Sequence, residues 1–290
     1  MNPLYAQLQW LPRLSGSFSE RLNALAASPG PVGSEIQALA LHGLDLNQLT
    51  KLEKVIGKLR SEGRSLDPLT PVRLAVLSNS TVDLIIPAMV ASAARHGIAL
   101  EVIQPAYDQV AQEALVPDSK VNRAKPDAVL LALDYHAFPL KLSLGDPEAS
   151  STTVAGVVAY LQALREGIKS NSNAVCIFQS FPPPAETLLG SLDRALPGTL
   201  RSLIDDINLK LATDVLGSGD VLLDVAGIAE TVGLADWHNT QLWNMAKFPF
   251  SDELIPLYAD HVARIVAAIR GKSRKALVLD LDNTLWGGVN

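Results

Sequence analysis

From about residue 71 onward, apolar runs of strand length alternate with segments of helical periodicity. That alternation restricts the chain to βα units building a mostly parallel sheet. The expected strands are VRLAVLS (72–78), LEVIQ (100–104), AVLLAL (128–133), AVCIFQS (174–180) and VLLDVA (221–226). Each is apolar along its length instead of alternating, as a strand covered by helices on both faces must be. Between them, 82–96 carries Ile85, Ile86, Met89, Val90 and Ala93 on one face and stops at Gly97, a residue suited to the left-handed position after a helix. The same spacing predicts helices over 154–169, 199–215 and 254–269, each with one face for the sheet. A three-layer α/β domain with a mainly parallel five-stranded sheet is therefore expected over 71–271.

The first seventy residues show no strand pattern and read as a helical N-terminal extension of two or three helices. One of these is capped by Asp45, with Leu49, Leu52, Ile56 and Leu59 inward. The segment QSFPPPAETLLG (179–190) cannot be a regular helix or a central strand, because three consecutive prolines remove three N–H donors. It is expected as a rigid loop leaving a strand end, where open α/β sheets place their ligands.

Composition narrows the partners. A net charge of −6 over 290 residues, with no Lys/Arg run, speaks against nucleic acid or an anionic membrane surface. No apolar stretch approaches the length needed to span a bilayer, and the N-terminus lacks a secretory pattern. The lone Cys176 lies in the apolar run AVCIF and is expected to be a buried small hydrophobe in a reducing, cytoplasmic protein. Neither a Walker pattern nor a dinucleotide fingerprint occurs.

The last sixteen residues, KALVLDLDNTLWGGVN, present a second kind of chemistry. An apolar strand, Leu277 to Leu279, would deliver Asp280 and Asp282 to the turn that follows. Phosphoryl transfer can use that spacing: the first carboxylate attacks phosphorus, the second protonates the leaving group, and a magnesium ion neutralises charge between them. Asp-x-Asp-x-Thr after an apolar strand resembles motif one of the haloacid dehalogenase superfamily. By that resemblance Asp280 is the nucleophile, Asp282 the acid/base, Thr284 the loop-fixing residue, and the two aspartates are Mg2+ ligands once the full domain is present. Members of that superfamily take further groups from later strands, so residues 272–290 are expected to be the incomplete start of such a domain, inactive alone as a phosphatase. No cofactor is expected in this chain by itself.

Several blocks extend the likeness: LDLNQLTKLEKVIGKL (44–59), RLAVLSNST (73–81), PDSKVNRAKPDAVLLAL (117–133), FPPPAETLLG (181–190), LWNMAKFPFS (242–251) and GKSRKALVLDLDNTLWGGV (271–289). Together they resemble the N-terminal part of the FkbH-like family, whose members join an SGNH-hydrolase-like domain to a haloacid dehalogenase domain. The resemblance implies an SGNH/flavodoxin-like fold. It also implies a full-length parent that transfers a glyceryl unit, taken from a bisphosphoglycerate, to an acyl carrier protein in polyketide assembly, or acts in a polysaccharide or lipid pathway. The expected role here is to bind an acyl or phosphoacyl substrate, or the acyl carrier protein, for the downstream domain.

The alternative is an independent SGNH-type esterase or acyltransferase. In LSNST, Ser80 stands where the family's nucleophile would be, and His238 with Asp236 in ADWHNT stands near the late Asp–His pair, one residue closer than usual. Two residues apart on extended backbone, these side chains would diverge. Where glycine and asparagine donors are expected, Asp134 and His136 occur instead, which puts the oxyanion hole in doubt. Asn79, Asp134 and His136 are candidates for substrate binding. Ser80 and Thr81 are also placed to cap the following helix, and His238 to pack beside Trp237. Trp237, Trp243, Phe248 and Phe250 are expected to pack a loop onto the core. Lys247 is either a phosphate or carboxylate partner or a solvated cation. His261 is expected to face the core or the helix surface, and His42 and His96 to be solvated.

Overall fold

The computed structural model describes residues 3–272. Five strands, β1 (Thr70–Ser78), β2 (Ile98–Ile103), β3 (Ala128–Ala132), β4 (Val175–Gln179) and β5 (Val221–Leu223), form one sheet in the order β2-β1-β3-β4-β5. Every pairing is parallel, with Thr70 opposite Ile98, Leu74 opposite Ala128, Ala128 opposite Val175 and Ile177 opposite Val221. This is the doubly wound, flavodoxin-like strand order, with its switch point between β1 and β3. The α/β three-layer expectation holds.

Four helices precede the sheet: α1 (Pro3–Ala6), α2 (Phe18–Ala27), α3 (Gly33–Ala40) and α4 (Leu46–Ser61). Asp45 begins α4 with a capping box, accepting from the Gln48 amide at 2.8 Å while the Gln48 side chain accepts from the Asp45 amide at 3.0 Å. Its inward residues Leu49, Leu52, Ile56 and Leu59 are all buried, as their spacing predicts.

The crossovers are α5 (Ile85–Arg95), α6 (Val110–Leu115), α7 (Lys120–Ala124), α8 (Pro147–Ser172) and α9 (Leu200–Val215); α10 (Val225–Val232), α11 (Leu234–Trp237), α12 (Thr240–Ala246) and α13 (Ile255–Ile269) complete the chain. Alternate strand residues feed two cores. Leu74, Val76 and Leu130 join α3, α4, α5 and α13 in one apolar cluster, so the N-terminal helices are built onto that face of the sheet. Ala75, Leu77, Val129 and Phe178 join α6, α8 and α9 in the other. Cys176 is in this second cluster, and burial pushes its thiol up to about 12, so it is inert at neutral pH.

Three boundaries differ from expectation, each for a local reason. Helix α8 starts seven residues earlier than its apolar pattern, at Pro147, because Asp146 accepts from the amides of Glu148 and Ala149 and proline suits the first turn. Strand β5 ends at Leu223 because the Asp224 side chain accepts from the Gly227 amide and opens α10. Helix α5 starts at Ile85 without a side-chain cap, which corrects the capping role expected of Ser80 and Thr81.

No described helix is long and apolar enough to cross a membrane.

Candidate functional site

Parallel strands all point their C-terminal ends to one edge, and the loops after β1, β3 and β4 meet there with the segment 236–250. After β1, Ser78 is a hub. Its hydroxyl donates to the Ala132 carbonyl at 3.0 Å, accepts from the Ser80 amide at 3.0 Å and lies 2.9 Å from the Ser80 hydroxyl. With the Ser78 proton on Ala132, the Ser80 hydroxyl is the donor of that third bond. Thr81 turns the other way, donating its hydroxyl to the Ala246 carbonyl at 2.6 Å and its amide to the Lys247 carbonyl at 3.0 Å, which pins the end of α12 onto the β1 loop.

Asn79 and Asp134 bridge the ends of β1 and β3 reciprocally. The Asn79 amide nitrogen donates to Asp134 Oδ1 at 2.8 Å, and the Asp134 backbone amide donates to Asn79 Oδ1 at 3.2 Å. Asp134 also accepts from the His136 amide at 2.9 Å, and its Oδ2 lies 3.1 Å from His136 Nδ1. The imidazole is stacked between Tyr135 at 4.0 Å and Trp243 at 3.9 Å between ring centres. Burial and the Asp134 charge push the Tyr135 phenol up to about 12, so it stays protonated. The three residues expected to bind substrate are therefore brought together.

The proline loop after β4 is clamped at its root. Ser180 donates its hydroxyl to Asp224 at 2.8 Å and accepts from the Ala226 amide at 2.9 Å, while Asn208 and the Phe181 backbone exchange two bonds at 2.7 and 2.9 Å. Gln179 donates to the Leu133 carbonyl and accepts from Tyr258, a phenol buried in α13. Sequence reading missed Gln179, Ser180 and Asp224. The available signal was a polar residue abruptly ending each apolar run.

His238 lies just beyond α11, and its Nε2 donates to the Pro183 carbonyl at 2.8 Å. Asp236 is on the helical turn of α11 and not on extended backbone, which corrects the basis on which the two side chains were expected to diverge. The hydrogen bonds of Ser80 and His238 thus run to Ser78 and Pro183, and no hydrogen bond joins the two. They also border different spaces. Ser80, Asp134, Gln179, Trp237 and Tyr258 line a cavity of about 30 Å³, room for little more than water. His238, His136, Glu186, Pro184 and Trp243 line a cleft of about 210 Å³.

Trp237, Phe248 and Phe250 are buried; Trp237 and Phe248 pack on the Phe250 ring, which packs on Tyr258, as expected of a loop packed on the core. Trp243 is only half-buried, and Lys247 sits 5.3 Å above its ring. His96 is a correction: it is not solvated but meets Asp260 at 3.1 Å. His42 is half-buried, 3.2 Å from the Leu39 carbonyl. His261 is half-buried on α13, where burial and Arg264 hold its imidazole below the usual range. Asp280, Asp282 and Thr284, and with them the residues expected to hold Mg2+, lie outside the described residues.

Comparison with known proteins returns a family. The sequence profile described as "FkbH, N-terminal domain" matches residues 73–267. No curated protein matches the chain significantly. Among solved structures, the N-terminal part of the protein BF1531 from Bacteroides fragilis, containing a phosphatase domain complexed with Mg, superposes at a TM-score of 0.68 with 22% identity over 84% of this chain. The chain spans 62% of the length of that structure, and at this identity the likeness shows the fold. A G-D-S-L family protein from Desulfitobacterium hafniense matches at a TM-score of 0.39 and 13% identity, over 67% of this chain and 99% of that one, too remote to carry weight. The profile match over more than half of the sequence, on the strand order described above, places this chain in the FkbH N-terminal domain family.

Proposed function

We propose that the chain is a recognition unit. It holds an acyl or phosphoacyl substrate, or the acyl carrier protein that bears one, at the C-terminal edge of the sheet for a haloacid dehalogenase domain beginning at Asp280 and Asp282. Glyceryl-transfer chemistry, with Mg2+ held by those aspartates, falls to the downstream domain. Cys176, a lone buried thiol, supports a reducing cytoplasmic setting, and the net charge of −6 supports a partner other than nucleic acid.

The observation that carries this reading is the state of the groups a serine esterase needs. The Ser80 hydroxyl proton is committed to Ser78, the Asn79 amide to Asp134, and Ser80 borders only about 30 Å³. A carboxylate, Asp134, stands at the strand end where an oxyanion donor is required, opposing the negative charge that a tetrahedral intermediate develops.

The test is hydrolysis of p-nitrophenyl acetate and butyrate by the chain and by Ser80→Ala, beside a titration with acyl carrier protein and with acetyl phosphate. The expected result is background hydrolysis, equal in both proteins, and saturable binding of the carrier or the acyl phosphate. Hydrolysis lost in the variant would instead establish the independent SGNH-type esterase using Ser80. Failure of both ligands to bind would remove the recognition role.

A further inference from the structure

A groove beside the N-terminal half of α8 has no part in the site described so far. One wall is the chain after β3, with Phe138, Pro139 and Leu140. The other is a ridge of α8 formed by Thr152, Gly156 and Tyr160 at successive i, i+4 positions, and the space between the walls is about 460 Å³. A Cβ at Gly156 would meet nothing within 4 Å, whereas one at Gly167, farther along the same helix, would come within 2.7 Å of the Ala114 carbonyl. Close packing on α6 therefore accounts for Gly167. Glycine destabilises a helix interior relative to alanine, and no contact in the fold requires it at Gly156. What its missing side chain does is keep the ridge open between Thr152 and Tyr160.

The walls have few hydrogen bonds left to give. Ala137, Phe138 and Leu140 donate their amides to the Asp134, Tyr135 and Phe138 carbonyls, and Pro139 has no N–H. Thr152 and Thr153 donate their hydroxyls to the Glu148 and Ala149 carbonyls at 2.9 and 3.0 Å, so neither has a proton to offer a ligand. The Tyr160 hydroxyl, without a partner among the described residues, is the remaining side-chain donor. Burial and then the Asp108 charge raise that phenol, and Lys141 and Glu148 neighbour the lining along the chain, but no carboxylate, imidazole, ammonium or guanidinium is on it. A space of several hundred Å³ with apolar walls and one polar group is the usual form of a small-molecule site. It adjoins the cleft: Tyr135 and His136 line the cleft, Ala137 and Phe138 line the groove, and the Phe138 ring packs on Phe181 of the proline loop at 5.4 Å. We infer that the groove holds the hydrocarbon chain of an acyl group whose head lies at the cleft, with Gly156 as the residue that admits the chain. The inference rests on the recognition role proposed above and names its substrate class, an acyl group with several methylenes.

The probes are the acetyl, butyryl, hexanoyl and octanoyl thioesters of N-acetylcysteamine, titrated calorimetrically into the full chain. Affinity is expected to rise about two- to fourfold for each added methylene, the gain from its partial to full burial. Gly156→Leu puts a side chain between Thr152 and Tyr160 and a better helix former in α8. It should melt no lower than the unmodified chain and lose the rise with chain length. Thr152→Phe, a second obstruction at an exposed position on the same ridge, should also lose it. Tyr160→Phe should keep the rise, because the wall stays. An affinity independent of chain length, a rise that survives both obstructions, or no binding of the octanoyl thioester at about 1 mM would each overturn the inference. A dimer of the unmodified chain that Gly156→Leu dissociates and the thioesters do not would assign the groove to a second copy instead. Thioesters without a chain-length effect, beside saturable binding of acyl carrier protein or acetyl phosphate, would remove the groove and keep the recognition role; failure of every ligand to bind would remove both.

Discussion

Two histidines in this molecule meet an aspartate at the same distance, 3.1 Å, and the resemblance ends there. His96 reaches Asp260 on α13, whose side chain is 0% exposed and is also held by Arg95 and, at 2.7 Å, by Arg264. Arg95 goes on to donate to the Ala40 and His42 carbonyls, so the cluster ties the N-terminal helices to α5 and α13. Its charges are neutralised from within. His136 reaches Asp134, whose other donors are the Asn79 amide and a backbone N–H, and among the described residues no lysine or arginine is within ion-pair distance of that carboxylate. One pair is closed by counter-charges and the other is left with an open nitrogen at a cleft. An Asp–His contact is therefore no functional signature by itself; what the second ring nitrogen faces decides its use.

The largest effect that would test this contrast is at Asp260. Asp260→Ala leaves the buried Arg95 guanidinium without its counter-charge, held only by the Ala40 and His42 carbonyls, and is expected to destabilise the chain by about 3–5 kcal/mol, read from urea unfolding. Burial alone would raise the Asp260 carboxyl. The His96 hydrogen bond and the charges of Arg95 and Arg264 outweigh burial and hold it well below the usual carboxylate range. A lowered folded-state value means that the stabilisation is complete above about pH 4 and is lost as pH falls further, toward the folded-state value. The deficit of the variant should accordingly shrink on acidification. A deficit under about 1 kcal/mol at pH 7 would mean that the cluster is not closed in solution.

Next in size is His96→Gln, expected to cost about 1–3 kcal/mol because a hydrogen bond to a buried carboxylate is removed. His136→Gln should cost under about 1 kcal/mol, since the imidazole is partly exposed and the Asn79–Asp134 bridge survives it. Equal losses at the two positions would break the comparison, because His136 would then be as structural as His96.

Why the fold was legible and this contrast was not follows from the kind of signal each leaves. Leu74, Val76, Leu130 and Ile177 form continuous apolar runs because helices cover both faces of the sheet, and such runs can be read without knowing what packs on them. The capping box at Asp45 is equally local, needing only Gln48 three residues on. Ends of elements were less legible where one polar side chain overrules apolar periodicity, as Asp224 does after Leu223. The polar clusters draw on residues far apart in sequence. Arg95 and Asp260 are 165 positions apart, and Asn79 and Asp134 are 55 apart, so nothing local distinguishes a solvated His96 from a clamped one. Asp134 and His136 are legible as binding candidates from their place after the third strand, where the resemblance expects glycine and asparagine donors, and not from any local pattern of their own.

The smallest predicted effect separates Ser78 from Ser80 within the open site. Ser78→Ala removes one hydroxyl that serves three groups, and leaves the Ser80 amide and the Ala132 carbonyl without the partners they have now. Burying an unsatisfied polar group makes the expected loss about 1–2 kcal/mol. Ser80→Ala removes only a donor to that hub. The Ser78 hydroxyl still donates to Ala132 and still accepts from the residue 80 amide, and the small cavity at this position can admit water. Its expected change is within about 0.5 kcal/mol, measured by thermal or urea unfolding. A hydroxyl that can be deleted without loss of stability or of ester hydrolysis is neither strut nor nucleophile, and the strand-end serine would then owe its position to Ser78. If Ser80→Ala were instead the more damaging of the two, Ser80 would be the organising residue of the β1 loop, and the direction of the Ser78–Ser80 hydrogen bond would have to be reversed.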